Sequence, residues 1–341
     1  MSLKIDVFNH IFPKPFFERL QEVIVNRGAV KRWLHIPFLH DLNVRFRMLE
    51  EFGHEYRQVL SLSAPPIESI NPDRDITLDM AALANDSMAD IVRAHPARFP
   101  GFIASLPLNH PDESVRELER AVTTLGAFGV QVFSNVNGLP LDDERFFPLF
   151  ETADRLRCPI FLHPARGATV PDYAGEKKSK YEIWWTFGWP YETSAAMQRL
   201  IFSRLFERLP NIKVVAHHLG AMVPYFEGRV SYGLDQLGTR TADEDYGALL
   251  ESLPRRPVEY FKMFWADTAV FGSRAATVCG LNFYGVDQVM FASDAPFDPE
   301  GGPMYIRETI KVIDSLEISP DERDKIYQRN AERLFRTTFD R

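Results

Sequence analysis

The feature that most constrains this chain is a recurrence. Eight short runs of strand-forming residues are each separated from the next by stretches with helical periodicity. The runs are Lys4–His10, Arg57–Ser63, Gly101–Leu106, Gly129–Ser134, Pro159–His163, Ile212–His217, Phe261–Asp267 and Gln288–Asp294. Several, such as VQVFS, PIFLH and IKVVAH, are almost continuously apolar, as strands covered on both faces of a parallel sheet must be. Leu78–His95, Asp112–Leu125, Asp142–Leu156, Glu192–Leu209 and Tyr305–Leu316 read as helices. A last helix opens at Ser319-Pro320-Asp321-Glu322, where Ser at the N-cap, Pro in the first turn and Glu at N3 make a capping box. This order predicts an α/β fold, a closed (β/α)8 TIM barrel. No glycine-rich dinucleotide fingerprint follows the first strand, which argues against a Rossmann sheet, and no organic cofactor is expected.

At 341 residues the chain reads as one such barrel domain, 1–341, with additions. Residues 14–53 form an insertion or lid after the first strand, and 164–191 form a long loop after the fifth. Both follow strands, so both are expected over the C-terminal face, where long loops carry substrate recognition. The net charge of -8 and the lack of a basic run exclude nucleic acid and anionic membrane as expected partners. No window is apolar for the length of a membrane span, and a cytoplasmic protein is expected. The two cysteines, Cys158 and Cys279, stand in apolar surroundings and are expected to be buried thiols.

Polar residues end five of the strand runs: His10, His163, His217-His218, Asp267 and Asp294. In a closed barrel these ends share one rim and their side chains can meet around one point. With those residues in view, the chain resembles the amidohydrolase-related family that includes aminocarboxymuconate semialdehyde decarboxylase, γ-resorcylate decarboxylase, and some hydratases and carbon–carbon hydrolases. The resemblance runs through IDVFNHIFP, GVQVFSNVNGLPLDDERFFPLFE, PIFLHP, FGWPYETSAAM, HLGAMVPYFEGR, FWADTA and FASDAPF, over nearly the whole chain.

The resemblance implies a metal ion, zinc or manganese, held by His10, His163 and Asp294. It implies His218, six residues before Pro224, as the catalytic acid–base group, and it implies a homodimer; the expected proton donor is His218 or, alternatively, Asp294 in its protonated form. His217 reads as a packing or rim residue. The departure is Phe8, which stands where the family has its first His or Glu ligand. Alternation along a strand puts residues 6, 8 and 10 on one face, yet Asp6 is roughly 13 Å from His10 along it, too far to replace the missing ligand. Two outcomes stay open: an ion with three protein ligands and waters, or an acid–base cluster without metal.

Substrate-facing candidates are Phe8 beside that centre, Arg45 and Arg47 in the insertion, Arg166 just past His163, and Trp185 and Trp189 in an aromatic run that also holds Trp184 and Phe187. An Arg fork suits a carboxylate and aromatic rings suit a planar substrate. Asp267 either orients His218 or caps the next turn. The expected function is loss of CO2 from a small aromatic or unsaturated carboxylic acid, metal-assisted. The alternatives are hydrolysis or hydration on the same scaffold, and a non-catalytic binding barrel.

Overall fold

The computed structural model describes residues 3–339. Its eight barrel strands are β1 (Lys4–Ile11), β2 (Tyr56–Leu62), β3 (Gly101–Ser105), β4 (Gly129–Phe133), β5 (Ile160–His163), β6 (Val214–Ala216), β7 (Trp265–Asp267) and β8 (Val289–Met290). Each pairs in parallel with its neighbours in chain order. The ring closes through the main chain: Val7 N donates to Phe291 O at 3.0 Å, Asp294 N to Phe8 O at 3.1 Å and His10 N to Ala295 O at 2.8 Å. All eight strand runs read from the sequence are present, but β6, β7 and β8 are shorter than expected. Phe261 ends the helical turn Pro257–Phe261, and residues 291–294 are irregular chain.

Inward side chains Ile5, Val7, Val59, Ile103, Phe161, Val215 and Met290 fill the barrel, closed beneath by Leu334 and Phe339. The helices cover the outside with a second apolar layer. In β1 the pairing steps from Asp6 opposite Gln58 to Asn9 opposite Leu60, so β1 carries one residue more than β2. Such a bulge breaks alternation. Val7 and Phe8 both join the inner core, while Asp6 turns outward to the hydroxyls of Tyr56 and Ser293. Residues 6, 8 and 10 therefore do not share a face.

The helices depart from the sequence reading where capping or a left-handed residue decides. Asp73 accepts from the main-chain N–H of Asp75 and Ile76 and starts a helix at Arg74, four residues early. The expected Glu192–Leu209 helix is split into Gly188–Phe202 and Leu205–Arg208 by Arg204 at φ +62°. Gly188-Trp189-Pro190 thus open a helix rather than belonging to a loop. The insertion is packed rather than loose. Its helix Lys14–Val23 and its short helix Pro37–His40 contribute Phe16, Leu20 and Leu39 to an apolar cluster with Met80, Ala81 and Ala84 of the helix Arg74–Ala94. Cys158 is buried, Cys279 only partly, and both are free. Among the described residues no helix is long and apolar enough to cross a membrane.

Candidate active site

Strand β1 delivers Phe8 and His10 to the C-terminal rim. The His10 ring is fixed at both ends: Nδ1 lies 3.2 Å from Leu62 O and Nε2 lies 2.9 Å from Asp294 Oδ1. Behind it Arg45, 1 % exposed, donates to Asn9 Oδ1 at 3.0 Å, Gln58 Oε1 at 2.7 Å and His10 O. Burial lowers its basicity to about 10. Arg45 therefore holds β1 to β2 and is not free to meet a substrate. Arg47 is exposed; two residues along the helix Leu42–Leu49 it points well away from Arg45.

Strand β5 ends at His163, whose Nδ1 donates to Pro164 O at 2.8 Å, leaving Nε2 as an acceptor. Burial, then the neighbouring His10, His217 and His218, push its pKa well below the usual value, so the ring is neutral. Strand β6 ends differently. The chain turns left-handed at His218 (φ +55°), Leu219 (φ +56°), Gly220 (φ +73°) and Ala221 (φ +56°). A side chain at Gly220 would run into the Tyr284 hydroxyl, 1.9 Å from its Cβ, so this close approach requires glycine.

Asp267 at the end of β7 stabilises that turn. Its Oδ1 accepts from His218 N at 3.1 Å and Ala269 N at 3.0 Å, and its Oδ2 pairs with His217 Nδ1. His217 is not a rim residue. It is fully buried, its ring stacks on Phe8 with centroids 3.4 Å apart, and its Nε2 has no partner. Burial outweighs the pull of Asp267 and lowers its pKa. The sequence offered a signal for this pairing in the adjacent polar ends of β6 and β7, but the ring stacked on Phe8 was not visible there.

Asp294 (φ +60°) joins the two sides. Its Oδ1 meets His10 and its Oδ2 lies 3.6 Å from His218 Nε2. Burial alone would raise its pKa, but the hydrogen bonds and charge of His10 and His218 hold it well below the carboxylate range. Burial likewise opposes charge on His218, yet the hydrogen bond and charge of Asp294 raise its pKa. Asp294 is therefore held as an anion between His10 and His218.

The profile of the amidohydrolase family matches residues 71–337. This chain belongs to the amidohydrolase family. It is 32% identical to the 2-amino-3-carboxymuconate-6-semialdehyde decarboxylase of Dictyostelium discoideum over 91% of this chain and 86% of that protein. It is 32% identical to the γ-resorcylate decarboxylase of Rhodococcus jostii (strain RHA1) over 86% of this chain and 87% of that one. Among solved structures, a 2,6-dihydroxybenzoate decarboxylase complexed with 2,6-dihydroxybenzoate superposes with a TM-score of 0.78 at 25% identity, covering 98% of this chain and 100% of that one. The dihydroxybenzoic acid decarboxylase of Polaromonas sp. JS666, solved with bound manganese and the inhibitor 2-nitroresorcinol, superposes with a TM-score of 0.78 at 27% identity, covering 98% and 97%.

In this amidohydrolase the three expected ligands do reach one place: the rings of His10 and His163 are 5.8 Å apart and Asp294 touches His10. They do not form an ion-binding set. Among the described residues no three His, Cys, Asp or Glu side chains are arranged to hold a metal ion. The Phe8 ring fills the corner beside His10 and His163, at 4.5 and 5.8 Å between centroids, and it offers no donor. It is 0 % exposed, so it is a floor under the site rather than a surface that a substrate touches.

The remaining candidates separate by contact. Arg166 pairs with Glu192 at 3.1 Å and donates to Pro171 O, so its charge is already matched. Trp189 stands 5.7 Å from the His163 ring and 5.5 Å from Trp184. Trp185 is turned aside to Glu182 Oε2 at 2.8 Å, so Trp184 takes the place in the aromatic wall expected of Trp185. Phe133 (5.0 Å from His163), Phe271 (5.8 Å from His218) and Phe297 (5.3 Å from His10) complete the wall. Arg32 of the insertion donates to Phe297 O, and with Asp294 it lies within electrostatic reach of Tyr305. No periodicity marks Arg32, Phe271 or Phe297, which come from loops and reach the rim only through the fold.

Proposed function

We propose that this member of the amidohydrolase family is a decarboxylase of a small aromatic or unsaturated carboxylic acid, with His218 as its proton donor. The observation that carries this reading is Asp294 placed between His10 and His218. The anion keeps a proton on His218, and the His218 side chain is the open one: 15 % exposed, against 1 % for His10 and 7 % for Asp294. In this reading a planar acid lies between the Trp189 and Phe297 sides of the wall. The neutral His163 accepts a hydrogen bond from a ring hydroxyl at Nε2, which raises electron density on the ring. Arg32, 5.5 Å from the centre of the Phe297 ring, is the cation we assign to the carboxylate.

His218 Nε2 then gives its proton to the carbon that bears the carboxylate. The carbon–carbon bond breaks, its electron pair restores the π system, and CO2 leaves. The proton consumed is regained by His218 from solvent. His10, His163 and Asp294 are the donors this chain would bring to a zinc or manganese ion, but the reading assigns no step to one, because Phe8 denies it a site. Association of copies as a homodimer rests on the family resemblance, and residence in the cytoplasm is proposed with it; sedimentation of the pure protein and cell fractionation test them.

The deciding experiment is turnover of a panel of hydroxybenzoates in D2O. The expected result is CO2 release with one deuterium at the carbon that carried the carboxylate. Incorporation of oxygen from labelled water without CO2 release would instead identify a hydrolase or hydratase.

A further inference from the structure

We infer that Phe8 and His217 together form an aromatic plug that makes this centre independent of metal, so that the cluster His10, His163, His218 and Asp294 acts as a purely organic acid–base site. The inference rests on the decarboxylase reading only for what the site is used for; the exclusion of metal follows from the residues themselves.

Three observations converge. The Phe8 ring lies against both expected imidazole ligands, 4.5 Å from His10 and 5.8 Å from His163, so the bulge in β1 aims a side chain at the metal corner and that side chain has no lone pair. His217 backs it, stacked at 3.4 Å with an interplanar angle of 22°, and is anchored by Asp267 on its far nitrogen. Phe8 is therefore backed by a ring that a fully buried His–Asp contact holds in place. Finally, two of the three donors are already engaged: both His10 nitrogens face acceptors and both Asp294 oxygens face histidines. An ion would have to break the His10–Asp294 contact, and Phe8 offers it no nitrogen in return. Affinity falls steeply as protein ligands are lost, so the balance favours the closed pair.

The test measures metal binding, so its result does not depend on whether the protein decarboxylates anything. Wild type, Phe8→His and Phe8→Leu are purified without chelator from cells grown with added Mn2+ and Zn2+, and metal content is determined by elemental analysis. Calorimetric titration with Mn2+ follows. The expected result is under about 0.1 ion per chain for wild type and Phe8→Leu, close to one for Phe8→His, and Mn2+ binding at least roughly 100-fold tighter in Phe8→His. Phe8→Leu controls for lost packing. Should Phe8→His fail to fold, Phe8→Asp, scored against Phe8→Leu, serves as the donor-bearing variant. One ion per chain in the wild type overturns the inference. So does a folded donor variant that binds no more than Phe8→Leu, because Phe8 would then not be what excludes the ion.

Discussion

The ends of β1 and β6 solve one problem in opposite ways. Each sets two nearby side chains in or directly beneath the site, and each departs from regular strand geometry to do so. In β1 the bulge turns Phe8 inward beside His10 while the chain stays in the sheet, tied by His10 N to Ala295 O. The result is sealed: Phe8 is 0 % and His10 1 % exposed. At β6 the chain leaves the sheet in a left-handed turn. His217 goes down onto Phe8 and His218 goes up to the mouth. One end of the rim is fixed and sealed, and the other carries His218, the group to which we assign the proton transfer. The pKa values of the adjacent histidines shift in opposite directions, because His217 is buried against a phenyl ring and His218 faces a buried carboxylate.

If that division holds, the largest effect is at the mouth. His218→Asn should lower turnover by roughly 10²–10⁴-fold with much less change in KM and an unchanged circular dichroism spectrum; near wild-type turnover would place the acid elsewhere. The next is at the hinge between the two histidines. Asp267→Asn leaves His217 without its charged partner and should cost on the order of 3 kcal/mol in urea unfolding, with a loss of activity at saturating substrate. Loss of stability alone, with turnover intact, would separate His217 packing from His218 placement.

A third comparison sets two buried carboxyls side by side. Asp294 is matched by two histidines, whereas Glu68, 4 % exposed with its Oε1 unpartnered, is pushed up to about 8 by burial. Folded protein keeps the Glu68 proton where the unfolded chain, with an ordinary carboxyl near 4.5, has released it. This contribution to stability is therefore full below about pH 4.5 and is lost as pH rises to about 8. We expect the wild type to lose on the order of 2–4 kcal/mol from this source between pH 5 and pH 8, and Glu68→Gln to flatten that slope in thermal unfolding. An unchanged slope would show that Glu68 titrates normally.

The smallest effects contrast the arginines of the insertion. Arg32→Ala should raise KM for the carboxylate about tenfold, the size of one charge-assisted contact, with little change in turnover. Arg47→Ala should change stability by less than about 0.5 kcal/mol and leave KM alone. The reverse pattern would move the carboxylate to the other side of the insertion.

The sequence by itself determined the barrel. Nearly continuous apolar runs such as VQVFS and IKVVAH suit strands covered on both faces, and eight strand runs alternating with helices match a closed ring. It also determined that His10, His163, His218 and Asp294 meet, because strand ends in a closed barrel share a rim. What it could not determine is which way neighbouring residues face once alternation is broken. The bulge that turns Phe8 in and Asp6 out, the left-handed turn that parts His217 from His218, and the use of Arg45 as a brace behind β1 each follow from backbone geometry set by contacts distant in the chain. Arg32, Trp184 and Phe297 reach the site only because the insertion and the β5 and β8 loops fold over one rim. Periodicity reports local burial, whereas the chemistry here depends on which side chains the closed barrel brings within a few ångströms.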